Sequence, residues 1–153
     1  MGYDVKVHNN KGKEIDFRAE KNGKLYLANS DIYLNLSHSG NYVMAAISDA
    51  HIGVDVEHIE NNHKIKELIK YVLDNKEIEE FNKSQNQIKD FYLMWTKKES
   101  YIKCIGKGLS AGMNTINLKS LKDYRFKCFD KENHQFAVCY KAKLVIDSKE
   151  IKL

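Results

Sequence analysis

The chain of 153 residues has no proline, only eight glycines and three cysteines. No Pro- or Gly-rich linker, internal repeat or low-complexity tract divides it, which disfavours a multidomain reading. Long apolar runs are missing too. The longest, Tyr42 to Ile47, falls far short of the ~20 residues that span a bilayer. The start, Met1-Gly2-Tyr3-Asp4, has no basic-then-apolar signal layout. These absences give the expectation of a soluble, unexported, cytoplasmic protein with no membrane partner. Cys104, Cys128 and Cys139 are odd in number, with no close pair at a metal-ligand or redox spacing. They read as buried, reduced thiols.

What is present is a chain 42% hydrophobic and 30% charged. At this size roughly 68–70% of the unfolded surface is buried on folding, enough for a sheet with two or three packed helices. Twenty-five basic against twenty-one acidic residues give a net charge of +4, and almost all of the positive charge is lysine. That suits diffuse attraction to an anionic partner better than groove reading. The basic residues form no stripe interleaved with aromatics, so nucleic acid is not expected as a partner. A nucleotide ligand or an acidic protein fits the charge.

The opening, Asn9 to Lys24, is polar and predicts a weakly formed strand or loop with Ile15 and Phe17 as anchors. Three short apolar stretches follow: Ile32 to Leu36, Tyr42 to Ile47 and Ile52 to Val56, joined by turns of hairpin length. They predict an antiparallel meander. From His63 the period changes from two to 3.6, with Ile65, Leu68, Ile69, Val72 and Leu73 on one face; this predicts an amphipathic helix. A short helix holding Ile78 and Phe81 follows, then one from about Gln87 to Ile105 with Phe91, Met94, Trp95 and Ile102 inward, stopped by Gly106-Lys107-Gly108. Alternation returns in Thr115 to Leu118, Tyr124 to Phe129, Gln135 to Tyr140 and Lys143 to Ile146. The expectation is one α+β domain over residues 1–153, with antiparallel strands and a helical block packed on the sheet.

Three clusters carry chemistry. In Gly53-Val54-Asp55-Val56-Glu57, strand alternation puts Asp55 and Glu57 on one face and both valines in the core. Two adjacent carboxylates repel unless a cation joins them, and hard oxygen ligands suit Mg²⁺; solvated acids at a strand end are the alternative. In Trp95-Thr96-Lys97-Lys98-Glu99-Ser100-Tyr101-Ile102-Lys103, Glu99 and Lys103 are one helical turn apart and Trp95 stands one turn before them. A surface ion pair beside a core tryptophan fits as well, whereas a third carboxylate joining Asp55 and Glu57 would be functional. In Asn35-Leu36-Ser37-His38-Ser39-Gly40, hydroxyls, an imidazole and turn amides can donate to a phosphate, or the serines simply cap the turn.

The order and spacing of Ser37-His38-Ser39, Gly53 to Glu57 and Trp95 to Lys103, followed by Gly106-Lys107-Gly108-Leu109-Ser110, resemble the signature of the 4′-phosphopantetheinyl transferases. The closest likeness is to the larger, two-lobed type that serves peptide and polyketide synthases. The resemblance implies transfer of the phosphopantetheine arm of coenzyme A to a serine of an acyl or peptidyl carrier protein, releasing adenosine 3′,5′-bisphosphate. It implies Mg²⁺ as cofactor, held by Asp55, Glu57 and Glu99, with Lys98 and Lys103 on the coenzyme A phosphates and Glu99 accepting the serine proton. Ser37 and His38 match positions that contact the 3′-phosphate, and Lys24 matches a lysine near the adenine, although Leu25 stands where the family usually has proline.

Two-lobed members begin well upstream of the position matching Met1. Residues 1–50 are therefore expected to form a partial, truncated first lobe and residues 51–153 the second. The single-lobed members work as trimers, and that analogy leaves room for a homo-oligomer. A non-catalytic half that binds coenzyme A or a carrier protein is the other reading. The apolar residues around Val72, Leu73 and Phe81 read as core or as part of a carrier-docking face.

Overall fold

Alternating and 3.6-period stretches become strands and helices in the computed structural model, which describes residues 7–8, 14–19, 25–28, 30–60, 64–106 and 112–142. Short strands β1 (Val7–His8) and β2 (Glu14–Ile15) pair antiparallel, as do β3 (Phe17–Ala19) and β4 (Leu25–Leu27). A hairpin of β5 (Tyr33–Ser39) and β6 (Tyr42–Ser48) follows, turning at Gly40 with φ 55°. Next come β7 (Ile52–His58) and the helices α1 (Lys64–Val72), α2 (Asn75–Lys83) and α3 (Gln87–Ile105). The hairpin β8 (Tyr124–Lys131) and β9 (His134–Lys141) ends the described chain. Its turn residues Glu132 and Asn133 both have positive φ, as a two-residue type I′ turn requires.

The helical block matches the expected α+β plan. Asp74 and Glu77 cap α2 reciprocally, each side chain accepting the other's backbone N–H at 2.8 Å. Helix α3 stops at Gly106 in the left-handed region, φ 71°. Ile65, Val72, Leu73, Phe91 and Tyr92 form one buried cluster, with Trp95 and Phe81 packed against it. Val72 and Leu73 are therefore core rather than a docking face. The strand expected at Lys143 to Ile146 and the residues Lys24 and Lys107 to Ser110 lie outside the described residues.

Two expectations are corrected. The three strands from Ile32 to Val56 do not form a hydrogen-bonded meander: β5 and β6 make their own sheet, and β7 joins a second one in the order β7-β9-β8. The reason lies on the edge of β7 that faces β5. Its N–H groups at Val54, Val56 and His58 are taken by side chains of Asn35, Ser37 and Ser39, at 2.8, 3.3 and 2.9 Å, instead of by a strand backbone. Second, Thr115 to Leu118 is no strand but lies across two 3₁₀ turns, 113–115 and 118–120. Local side-chain bonds win there: Thr115 donates to the Gly112 carbonyl, Ser120 donates to that of Asn117, and the Asn117 amide oxygen accepts from the Lys119 N–H.

Helix α3 lies directly on β7 and β9. A Cβ on Gly53 would stand 2.0 Å from the Ser100 carbonyl oxygen and 2.4 Å from the Cys104 nitrogen, so only glycine lets the helix backbone approach this closely. Cys139 is the register partner of Gly53. Its thiol is pushed up chiefly by a hydrogen bond with Cys104 and then by burial, so these two cysteines, far apart in sequence, lie together. On the opposite face of β7, Val54 and Ile52 pack with Val138, Tyr33 and Met44 beneath the β5–β6 hairpin.

Candidate active site

The strand alternation of β7 holds as read: Val54 and Val56 are fully buried, and Asp55 and Glu57 share the other face. The close approach at Gly53 brings α3 over that face, so Glu99 and Lys103, one turn apart, come down beside Asp55. Lys103 Nζ donates to Asp55 Oδ1 at 2.6 Å and to Ser37 Oγ at 3.0 Å. The lysine thus bridges across to the sheet, whereas helix spacing alone had suggested Glu99 as its partner. Ser37 Oγ donates to the same Asp55 oxygen at 2.9 Å, and Ser39 Oγ donates to Glu57 Oε2 at 3.5 Å.

Electrostatics mark the three carboxylates as one group. Burial pushes Asp55 up, opposed by Lys103 and Ser37. Burial, with Asp55 and Glu99 adding repulsion against the pull of Lys103, raises Glu57 to about 7. Burial and then Asp55 raise Glu99, again against Lys103. Carboxylates crowded in a low-dielectric cleft hold protons that a cation would displace.

Asp55 is 2% exposed, and its Oδ2 is one of three buried side-chain polar atoms without a hydrogen-bond partner among the described residues; the others are on Trp95 and His134. A buried carboxylate oxygen without a partner, on an acid that repels two further carboxylates, has the donor chemistry that suits a hard cation such as Mg²⁺. Among the described residues no group of three or more acidic, histidine or cysteine side chains is placed to hold a metal ion. A cation here would complete its shell with water and phosphate oxygens, which is the habit of Mg²⁺.

Other site expectations fare differently. Lys98, expected on the phosphates, is wholly buried on another side of α3. Its ammonium donates to the Val72 carbonyl at 2.7 Å and pairs with Glu77 at 2.5 Å. It ties the end of α1 and the start of α2 to α3, away from the carboxylates. Ser37 is turned inward onto Asp55, while His38, its neighbour on an alternating strand, is exposed on the opposite face. Ser39, read from sequence as a phosphate donor, instead serves Glu57 and the His58 N–H, while Asn35 and Gly53 were not singled out as functional from sequence. The signal was present as a polar residue at every second position of β5, which on a strand means one polar face.

The order of these groups along the chain has counterparts elsewhere. A family model described as the 4′-phosphopantetheinyl transferase superfamily matches residues 51–150. A 4′-phosphopantetheinyl transferase of Aneurinibacillus migulanus is 40% identical over 115 residues, covering 74% of this chain and 48% of that protein. One from Bacillus subtilis is 30% identical over 142 residues, covering 82% of this chain and 62% of its own length. A rat L-aminoadipate-semialdehyde dehydrogenase-phosphopantetheinyl transferase is 36% identical over 91 residues, 54% of this chain and 29% of its own. The chain thus spans about half of the first of these and three-fifths of the second. With a matching model over most of its length, and with β7 and α3 inside that match, the chain belongs to the 4′-phosphopantetheinyl transferase superfamily.

Proposed function

We propose that the chain transfers the 4′-phosphopantetheine arm of coenzyme A to a serine hydroxyl of an acyl or peptidyl carrier protein, with Mg²⁺, and releases adenosine 3′,5′-bisphosphate. The observation that carries this is the buried Asp55, its Oδ1 bonded by Lys103 and its Oδ2 without a partner among the described residues, close enough to Glu57 and Glu99 to raise both by repulsion. Asp55, Glu57 and Glu99 are the groups that would hold Mg²⁺, and the bound ion would neutralise charge developing on the pyrophosphate. Lys103 adds a positive charge that offsets the leaving phosphate. The serine oxygen bonds to phosphorus as the pyrophosphate P–O bond breaks, and the serine proton passes to a carboxylate. Glu99 suits that role, since burial raises it toward the working pH of a general base. His38, exposed on β5, is available to the nucleotide phosphate. The net charge of +4 favours encounter with an acidic carrier protein.

The test is a mass measurement. The chain, coenzyme A, Mg²⁺ and a panel of apo carrier proteins are incubated and the carriers weighed. A gain of one phosphopantetheine, abolished by Asp55→Ala, is expected; no gain on any carrier would overturn the reading.

A further inference from the structure

We propose that Cys104 and Cys139 are a site of reversible oxidation: a hydroperoxide converts their thiols to a disulfide that staples the last turn of α3 to β9. The proposal stands apart from the transferase reading and needs neither coenzyme A nor a carrier protein.

Three observations converge on the pair. Cys139 faces Gly53 across the β7–β9 ladder, so its side chain stands on the face that α3 covers. Gly53 is also where the helix comes closest: a Cβ there would lie 2.9 Å from the Cys104 Cα. Directly paired residues hold their Cβ atoms ~4.5–5.5 Å apart, and glycine has no side chain to stand between the two cysteines. Cys104 Sγ is turned onto the same sheet, donating to the His51 carbonyl just ahead of β7 at 3.4 Å. The two thiols meet in a hydrogen bond, a contact from which a disulfide forms with little movement of the backbone.

The third thiol lacks this geometry. Cys128 pairs with Ala137 on β9, two residues along from Cys139. Diagonal neighbours of this kind are ~7–8 Å apart, wider than the Cβ separation of ~3.5–4.5 Å that a disulfide allows. Cys128 is only half-buried, so it serves as an internal control.

With hydrogen peroxide as the oxidant, one sulfur attacks a peroxide oxygen, the O–O bond breaks, and a sulfenic acid forms while hydroxide leaves and takes up the thiol proton. The second sulfur then attacks the sulfenic sulfur, the S–S bond forms, and water departs. Two thiols lose two electrons and two protons in all, and the peroxide becomes two waters; a thiol reductant reverses the bond by exchange. Access is the slow step. Both residues are 0% exposed, so the peroxide reacts when the end of α3 opens, and Cys104 lies in its last turn, just before the Gly106 stop.

The test treats the reduced, purified full chain with hydrogen peroxide and counts the remaining thiols by alkylation under denaturing conditions. The chain should lose two of its three thiols and become two hydrogens lighter, with the Cys104 and Cys139 peptides joined and Cys128 still alkylated; dithiothreitol should restore all three. Because the bond closes the loop from α3 to β9, the urea midpoint of the oxidised chain should lie above that of the reduced one. Cys104→Ala and Cys139→Ala should each abolish the bond, whereas Cys128→Ala should oxidise as the wild type does. The wild-type peptide map decides the pairing even where a variant does not fold. A bond that includes Cys128, a bond between two chains, oxidation to sulfinic acid without a disulfide, or no loss of thiol overturns the proposal, and an unchanged midpoint overturns its stapling role.

Discussion

Burial, with Asp55 and Glu99 adding repulsion, holds Glu57 protonated up to about 7, against 4.5 for an ordinary glutamate. Between those values the folded chain binds more protons than the unfolded one, so unfolding free energy falls as pH rises from 4.5 to 7. The raised carboxyls of Asp55 and Glu99 act in the same direction. In the absence of Mg²⁺, the urea midpoint should decline across this window, and Glu57→Gln should flatten the decline; an identical slope in the variant would remove Glu57 as its source. Glu99→Gln keeps the shape and loses the charge. It should leave the chain folded, since it relieves repulsion, while carrier modification falls by at least ~100-fold as expected of a lost acid–base group. Retained turnover would count against Glu99 in both its roles.

Helix α3 is where the site is assembled, and two of its contacts can be tested separately. Gly53→Ala places a Cβ 2.0 Å from the Ser100 carbonyl, so helix or strand must shift. A loss of about 1–3 kcal/mol is expected from such overpacking, together with weaker Mg²⁺ binding as Glu99 and Lys103 move off Asp55. A variant as stable as wild type would show that the helix does not rest on this glycine. Lys98→Met strands Glu77 and the Val72 carbonyl, and breaking one side of a buried pair costs about 3–5 kcal/mol. The unfolding midpoint should drop while KM for coenzyme A in the folded fraction stays near wild type; the reverse pattern would return Lys98 to the phosphates. The helices themselves were legible, because the change of period at His63 and the glycine stop at Gly106 are local signals. The split roles of Lys98 and Glu99 were not. Adjacent helical positions face about 100° apart, and only the packed neighbours decide which of them turns inward.

At the scale of the molecule, what the sequence hid was pairing between distant segments. Local alternation marked β5, β6 and β7 as strands, but it cannot say that β7 would pair with β9, far along the chain, and offer its other edge to the side chains of β5. The consequence is an uneven architecture. The β7-β9-β8 sheet carries α3 on one face, whereas the β5–β6 hairpin has Val43 and Ile47 at 75% and 70% exposure on its outer face. A two-stranded hairpin is marginal by itself. This one is joined to β7 by three side-chain-to-backbone bonds, each worth about 1 kcal/mol net, and by the apolar contacts of Tyr33 and Met44 with Val54 and Ile52. It should open without the rest of the fold. Native-state hydrogen exchange should therefore show Leu36 and Ala45 exchanging ~10-fold or more faster than Ala137 and Val138 on β9, a difference of about 1.4 kcal/mol. The amides of Val54, Val56 and His58, whose acceptors lie on β5, should follow the hairpin, although their residues sit in the stable sheet. Equal protection of hairpin and sheet would mean that the two open as one unit, and that the serine rungs bind them more firmly than their count suggests.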